Sequence, residues 1–337
     1  MMSNHVIIIA EAGVNHNGNY DLAVKMVHEA KMAGADYVKF QTAVPELVIS
    51  SIAPKAEYQK ETTGSEQSQL EMCRAIHLPL SAYAPLKQVC DEEGIGFMST
   101  PFDLVSIDTL EPLCMDYYKI PSGEITNLPY LRKIASKGRP VIMSTGMCEL
   151  DEIGAAIDVL TAGGLQLDDI TLLHCNTQYP TPMADVNLRA MNELAAHFGV
   201  KVGYSDHTVG IEVPIAAVAL GATVIEKHFT LDRNLPGPDH KASLEPAELA
   251  RMVESIRNIE QALGDGHKHV SESERPNMVV ARKSIVAATD IKKGDLLTEQ
   301  NITVKRPGNG ISPMLWDSVV GTRAIADFPR DTLIRLS

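Results

Sequence analysis

The chain has 337 residues, enough for two domains or for one large α/β barrel with an appendage. Apolar residues make up 45% and charged residues 22%, an ordinary globular composition with ample core material. The formal net charge of −13 argues against nucleic acid or an anionic membrane as the general partner, while leaving room for a locally basic pocket. The five cysteines are scattered and form no C-x-x-C pair, which excludes a zinc ribbon or disulfide framework and fits a reducing cytoplasm. The apolar opening Val6-Ile7-Ile8-Ile9-Ala10 stops at Glu11, too short for a membrane span and without the flanks of a signal peptide.

Short apolar runs alternate with stretches of helical periodicity. The runs read as strands are 5–10, 36–40, 96–99, 116–120, 140–144, 170–175, 201–204 and 223–228. Helical patterns come after them, among them 21–33, 68–93, 127–137, 149–161, 188–198, 211–220 and 246–263. Eight strand-then-helix units predict a (β/α)8 TIM barrel over residues 1–265. A doubly wound open sheet is the runner-up, and the absence of G-x-G-x-x-G after the first run counts against it. Residues 266–282 are polar and turn-rich and read as a linker. Residues 283–337 carry eight Lys/Arg against six Asp/Glu and two short β-like pieces, 284–288 and 302–305, so a small β-rich second domain is expected. The insertion Ala43–Gln67 is expected to form a lid or rim loop.

In such a barrel, chemistry sits at the carboxyl ends of the strands. Those positions are unusually polar: Glu11, Lys39 and Gln41, Thr100, Lys119 with Ser122 and Glu124, Ser144, the run Cys175–Tyr179, Ser205 with His207, and Glu226 with His228. A period of two puts Lys39 with Gln41, and Glu226 with His228, on one face. His207 and His228 end adjacent strands; they either ligate a divalent ion such as Mn²⁺ or are buried, hydrogen-bonded histidines. His174 points away by the same alternation and reads as structural. Lys39 and Lys119 anchor an anion, form a Schiff base, or pair with an acid. Thr100, Ser122, Ser144 and Ser205 either complete an oxyanion cradle or cap strand ends. Glu124, after Pro121-Ser122-Gly123, is a general acid/base candidate or a solvated loop residue. Arg306, in Val304–Gly310, is a polar clamp or an exposed arginine.

These stretches resemble the sialic acid synthase (NeuB-like) family. The segments that carry the likeness are Ala10–Gly18, Val38-Lys39-Phe40-Gln41-Thr42, Ser99-Thr100-Pro101-Phe102, Tyr118–Glu124 and Ser144-Thr145-Gly146-Met147. Gly203–Thr208, Glu226-Lys227-His228-Phe229-Thr230, Pro236-Gly237-Pro238-Asp239 and Lys305–Gly310 continue it in order. The resemblance implies a TIM barrel followed by an antifreeze-like (SAF) domain, and a homodimer in which that domain covers the partner's active site. It implies condensation of phosphoenolpyruvate with an open-chain N-acylmannosamine-type sugar, giving a nine-carbon keto acid and phosphate. It assigns the metal to His207 and His228, with Mn²⁺ first and Mg²⁺ or Co²⁺ as alternatives. Phosphoenolpyruvate falls to Lys39, Thr100, Lys119, Ser122, Ser144 and Ser205. The sugar and metal region falls to Glu11, Gln41, Tyr179 and Asp239, the acid/base role to Glu124, and a contact with the sugar's acyl group to Arg306 of the other subunit. In the implied reaction the ion polarises the sugar aldehyde, C3 of phosphoenolpyruvate attacks it, and water adds at C2 before phosphate leaves. Thr177 departs from the pattern, standing where sialic acid synthases can carry Asn. Lys55–Gln59 and Glu124–Leu131 look closer to the legionaminic acid branch, which uses 2,4-diacetamido-2,4,6-trideoxymannose in place of N-acetylmannosamine. The rival readings are a Schiff-base pyruvate aldolase or lyase, and a non-catalytic carbohydrate-binding protein.

Overall fold

A computed structural model of the chain describes residues 5–64 and 66–337. The chain divides into one unit ending at Gly264 and a second running from Asp265 to Ser337.

The first unit is built on eight strands: β1 (Ile7–Gly13), β2 (Tyr37–Thr42), β3 (Gly96–Pro101), β4 (Tyr118–Ile120), β5 (Val141–Ser144), β6 (Ile170–His174), β7 (Lys201–Asp206) and β8 (Val224–His228). All ladders are parallel, in the order β3-β2-β1-β8-β7-β6-β5-β4. The end strands β3 and β4 pack side by side without a ladder, β4 being only 3 residues long. The sheet thus curls into a nearly closed barrel, the expected architecture, and the open-sheet alternative falls.

The helices of this unit are α1 (Tyr20–Met32), α2 (Pro45–Val48), α3 (Glu57–Thr63), α4 (Gln69–Ile76), α5 (Tyr83–Glu93), α6 (Leu104–Leu110), α7 (Leu128–Ala135), α8 (Leu150–Ala162), α9 (Ala190–Phe198), α10 (Glu212–Ala219) and α11 (Pro246–Ala262). The pattern over 68–93 suggested one helix, but the structure breaks it into α4 and α5 around His77-Leu78-Pro79. Pro79 lacks an N–H and holds Leu78 out of the helical region, so the periodic stretch cannot continue through it. The Ala43–Gln67 insertion carries α2 and α3, and α2 packs on α4.

Alternation along the strands sorts two cores. Outward residues such as Ile8, Val38, Phe97, Met143, Tyr204 and Ile225 join the helices in one large apolar cluster. Inward residues Ile9, Met98, Ile142, Leu173 and Val224 form a plug across the barrel, with Ile7, Tyr37 and Tyr117 packed against it. One pleat further along each strand, the interior turns polar: Glu11, Lys39, Thr100, Lys119, Ser144, Ser205 and Glu226 are all buried above the plug. Apolar filling therefore ends at a definite height, and the chemistry begins there.

On the outer face of the same level, Lys227 and Asp206 pair at 2.6 Å, opposite each other in the β7–β8 ladder, both completely buried. Asp206 also accepts from Thr208 N and Thr208 Oγ1, and Lys227 donates to Thr208 O. The pair fixes the ends of the two strands that carry His207 and His228.

The second unit contains α12 (Arg275–Ala281), within the stretch read from sequence as a linker, and the antiparallel pair β9 (Ser284–Ala287) and β10 (Ile302–Lys305). A short α13 (Trp316–Val319) comes after them. Ile285, Ala287, Leu297, Ile302, Phe328 and Ile334 belong to its separate small core, and isolated bridges such as Ile291 with Phe328 supply much of its remaining order.

Removing one partner of the Lys227–Asp206 pair strands a buried charge, which costs about 3–5 kcal/mol. Lys227→Met should lower the barrel's unfolding free energy by that amount, read as an earlier urea midpoint. The double variant Asp206→Asn with Lys227→Met should recover most of the loss.

Candidate functional site

A cavity of about 300 Å³ opens at the carboxyl ends of the barrel strands. Its wall includes Glu11, Lys39, Gln41, Thr100, Lys119, Ser122, Ser144, Tyr179, Ser205, His207, His228 and Asp239, so twelve of the fourteen expected site residues meet around one space. Glu124 stands outside that wall. It closes the 3₁₀ turn Ser122–Glu124, and its carboxylate accepts from Asn127 Nδ2 at 2.6 Å. Burial raises its pKa against the pull of that hydrogen bond. Arg306 belongs to the second unit, where its Nε donates to Ala281 O at 3.1 Å and the side chain is otherwise exposed.

Four charged groups occupy the base of the cavity. Lys39 Nζ lies 2.6 Å from Glu11 Oε2 and 3.6 Å from Glu226 Oε2, and Lys119 Nζ lies 3.7 Å from Glu226 Oε1. Lys39 also donates to Thr100 Oγ1 at 3.1 Å, Lys119 to Ser144 Oγ at 2.6 Å, and Ser205 Oγ to Glu226 Oε1 at 2.9 Å. Sequence reasoning noted Glu226 at a strand end but did not place it in the site; its alternation with His228 on β8 was the available signal.

The four groups respond differently to burial. Desolvation would raise Glu226, but Lys119 and Lys39 outweigh it and hold the carboxyl at about 2. Glu11 is pushed up to about 7, because burial and the nearby Glu226 charge outweigh Lys39. Burial tends to lower Lys39, yet its two carboxylates keep it above the ordinary lysine value. Lys119 is lowered by burial, which outweighs the pull of Glu226. Two lysines thus share the cavity base with Glu226, which they hold ionised, and with Glu11, which burial keeps from ionising fully near neutral pH; in a chain that is acidic overall, such a base suits an anionic ligand.

Ser122 Oγ accepts from Gly146 N at 2.9 Å and lies 3.4 Å from Cys175 Sγ. A Cβ at Gly146 would come within 2.7 Å of Thr177 Cγ2 and 3.0 Å of Ser122 Oγ, so the β5 turn needs glycine to approach this closely. Thr177 lines the cavity beside this turn, its methyl group directed at Gly146.

Across the cavity, His207 and His228 stand with ring centroids 5.4 Å apart. His207 Nδ1 meets Asn176 O at 2.5 Å. A carbonyl only accepts, so Nδ1 carries the proton and Nε2 presents its lone pair, met by Tyr179 Oη at 3.0 Å. His228 Nδ1 is buried without a hydrogen-bond partner among the described residues, with Asp239 Oδ2 at 4.0 Å. Burial lowers both imidazoles, His207 to about 4, so both stay neutral at physiological pH. Asp239 is raised to about 6 by desolvation alone. Neutral, oriented imidazoles are the form that ligates a divalent cation, and an unpartnered buried nitrogen fits a ligand position. No three His, Cys, Asp or Glu side chains converge as a metal set among the described residues, so water or substrate oxygen would complete any shell. Gly13, at φ +52°, sits where β1 shifts register, and a Cβ there would lie 3.2 Å from Glu11 Oε1 and 3.6 Å from His228 Cε1. The bulge comes after Glu11, which faces inward by strand alternation beside Gln41, whose Nε2 donates to Glu11 Oε1 at 3.2 Å.

Much of the remaining wall comes from Gln59 of the insertion, from Met72, Cys73, Ile76 and His77 of α4 and its C-terminal end, and from Phe102 and Pro238. None of these is a polar strand-end residue, and no period or spacing in the sequence singled them out. His174, outside this cavity, meets Val186 O through Nε2 at 3.0 Å, as expected of a structural residue. All five cysteines are free. Among the described residues no helix is long and apolar enough to cross a membrane.

Residues 26–268 match the model of the NeuB family, and residues 282–337 match that of the SAF domain. The chain is 53% identical over 329 residues to the N,N'-diacetyllegionaminic acid synthase of Campylobacter jejuni, covering 98% of each chain. It is 48% identical to the protein of the same description from Legionella pneumophila, covering 94% of this chain and 89% of that one. Among solved structures it resembles the N-acetylneuraminic acid synthetase of Leptospira borgpetersenii, determined with citrate, at 34% identity and a TM-score of 0.71 over 82% of this chain and 91% of the other. With the family model matched over residues 26–268 and a relative 53% identical over 98% of the chain, the protein belongs to the NeuB family.

Proposed function

We propose that this chain is a nonulosonate synthase, which condenses phosphoenolpyruvate with an open-chain N-acylmannosamine-type sugar to give a nine-carbon keto acid and phosphate. The observation that carries the reading is the pair of buried lysines at the base of a cavity whose wall also holds two neutral imidazoles. The relatives' names support 2,4-diacetamido-2,4,6-trideoxymannose as the sugar.

Lys39 and Lys119 would hold the phosphate and carboxylate of phosphoenolpyruvate, with Thr100, Ser122, Ser144 and Ser205 supplying hydroxyl contacts. Held on the cavity floor, its C3 faces the space where the aldehyde enters, so the encounter becomes effectively unimolecular. His207 and His228 would hold a divalent ion, Mn²⁺ or else Mg²⁺ or Co²⁺, which when bound supplies Lewis-acid polarisation of the aldehyde. A C–C bond forms between C3 of phosphoenolpyruvate and the aldehyde carbon, whose oxygen takes a proton. Water then adds at C2, and the C2–O bond breaks to release phosphate and leave the keto group. Glu124, at the rim, would take a proton from that water; Glu11, poised near neutrality beside Lys39, is a second group able to exchange one. Gln41, Tyr179 and Asp239 line the path of the sugar. Arg306 would reach the sugar's acyl group from the SAF domain of a partner subunit, which makes a homodimer the working form. Free cysteines throughout suit a reducing cytoplasm.

The lowered pKa of Lys119 also suits a Schiff-base lyase, in which a neutral amine attacks pyruvate. Borohydride trapping with pyruvate separates the two: the synthase should give no adduct and should release phosphate from phosphoenolpyruvate only when sugar is present.

His207→Ala should weaken Mn²⁺ binding at least about 100-fold, measured by the paramagnetic resonance of free Mn²⁺. Equal binding by variant and parent would remove the metal assignment. Ionisation of Glu11 adds a negative charge beside Lys39, so its contribution to phosphoenolpyruvate binding is favourable below about pH 7 and lost above it. Glu11→Gln should therefore flatten the alkaline decline in phosphoenolpyruvate affinity between about pH 6 and 8, read by calorimetric titration. Arg306→Ala should raise the sugar KM about tenfold and leave the phosphoenolpyruvate KM unchanged, because one charge-assisted hydrogen bond is lost.

A further inference from the structure

The two imidazoles at the mouth of the barrel are held in different ways. His228 is the last residue of β8 and lies within a ladder, opposite Glu11 of β1. His207 comes one residue after the end of β7. It lies past the last rung of that strand with β8, Asp206 opposite Lys227, and past the last with β6, Tyr204 opposite His174. A residue beyond its ladders has no strand partner for its backbone groups, so its position has to be set by other bonds.

Those bonds come from the loop after β6. His207 O accepts from Thr181 N at 2.9 Å, and His207 Nδ1 donates to Asn176 O at 2.5 Å. One loop thus grips the residue at its backbone and at its ring, and the bond at Nδ1 selects the tautomer with a basic Nε2. The shape of the loop rests in turn on two of its side chains. Asn176 Oδ1 accepts from Gln178 N at 2.7 Å, an Asx turn that fixes the backbone to which the Asn176 carbonyl belongs. Thr181 Oγ1 donates to Gln178 O at 2.8 Å, with Asn176 Oδ1 a second acceptor at 3.5 Å. Thr181 is only 5% exposed, so its hydroxyl depends on these acceptors. Neither Asn176 nor Thr181 belongs to the wall of the main cavity, and any effect they have on the chemistry passes through His207.

We infer that Asn176 and Thr181 are positioning residues for His207. Through the 176–181 loop they hold the imidazole with its proton on Nδ1 and with Nε2 beside Tyr179, a residue of the cavity wall. An imidazole oriented and fixed in tautomer in this way is the form that ligates a divalent ion, and groups that orient such a ring change metal affinity by about 10- to 100-fold. The inference rests on the proposed metal role of His207 for the ion alone; the orientation of the ring is measured separately, without turnover.

The proton on His207 Nδ1 should give a resolved imidazole resonance in the parent, assigned by its absence from His207→Ala. Asn176→Ala and Thr181→Val should each lose that resonance to solvent exchange, and Thr181→Ser, which keeps the hydroxyl, should retain it. Mn²⁺ affinity, measured on folded protein by the paramagnetic resonance of free Mn²⁺, should fall about tenfold in each of the first two variants and stay within about twofold of the parent in Thr181→Ser. Because both side chains act through one loop, the double variant should fall well short of the roughly hundredfold product. Asn176 is only half-buried, so Asn176→Ala carries the test should Thr181→Val fail to fold. Where the parent binds Mn²⁺, parent-like affinity in Asn176→Ala would overturn the inference even with a lowered urea midpoint, since a merely structural role moves the midpoint alone. Where the parent binds none, the metal assignment falls and the resonance decides: its loss in the variants upholds the positioning role, and its persistence overturns it.

Discussion

Everything at the mouth of the barrel depends on two lysines and two glutamates being taken out of water together. Each ion alone would be prohibitively costly to bury, and four in contact still stabilise the fold less than apolar side chains of the same size would. Stability therefore does not explain Glu11, Lys39, Lys119 and Glu226 at the height where the interior could have continued as Ile9, Met98, Ile142 and Val224 do. The arrangement explains itself as a preorganised receptor. The two lysines are oriented by Thr100 and Ser144 and by the carboxylates beside them. Groups held in this way would meet an anion with little reorganisation of the site.

The rest of the architecture keeps that receptor and the two imidazoles at fixed separation. β7 carries Ser205 inward and Asp206 outward, then His207 inward; β8 carries Glu226, Lys227 and His228 in the same alternation. The outward pair Asp206–Lys227 locks the two strands together at the rung beside the one that joins Ser205 to Glu226. One pleat thus couples a structural ion pair, a cavity-facing carboxylate and a pair of imidazoles. A shift in register by one residue would exchange all three, which is why so much chemistry can rest on two short strands.

This same alternation made most of the site readable from the sequence. Polar residues at the ends of eight apolar runs needed only the barrel assumption to converge, and Lys39, Lys119, His207 and His228 do converge. What escaped was set by tertiary context. Glu226 looked like one more strand-end residue until its two lysine neighbours were known. Glu124 comes after a rigid turn as expected, but Asn127 draws its carboxylate to the rim, an interaction three residues ahead that alternation does not encode. The break at Pro79 was visible as a residue, yet the helical period on both sides of it masked the boundary.

The insertion after β2 was legible only as an interruption, and there the molecule departs most from a generic barrel. Its first turn, α2, with the residue after it, lays Val48 and Ile49 against a recess beside the main cavity, and α4 ends where His77 Nδ1 donates back to Cys73 O. The charged strand ends sit on the rigid barrel, while the cavity wall is completed by Gln59, Met72, Cys73, Ile76 and His77, from segments that come after β2 in the chain. Exchange of those residues would alter the shape of the cavity without disturbing the buried charges on the strands.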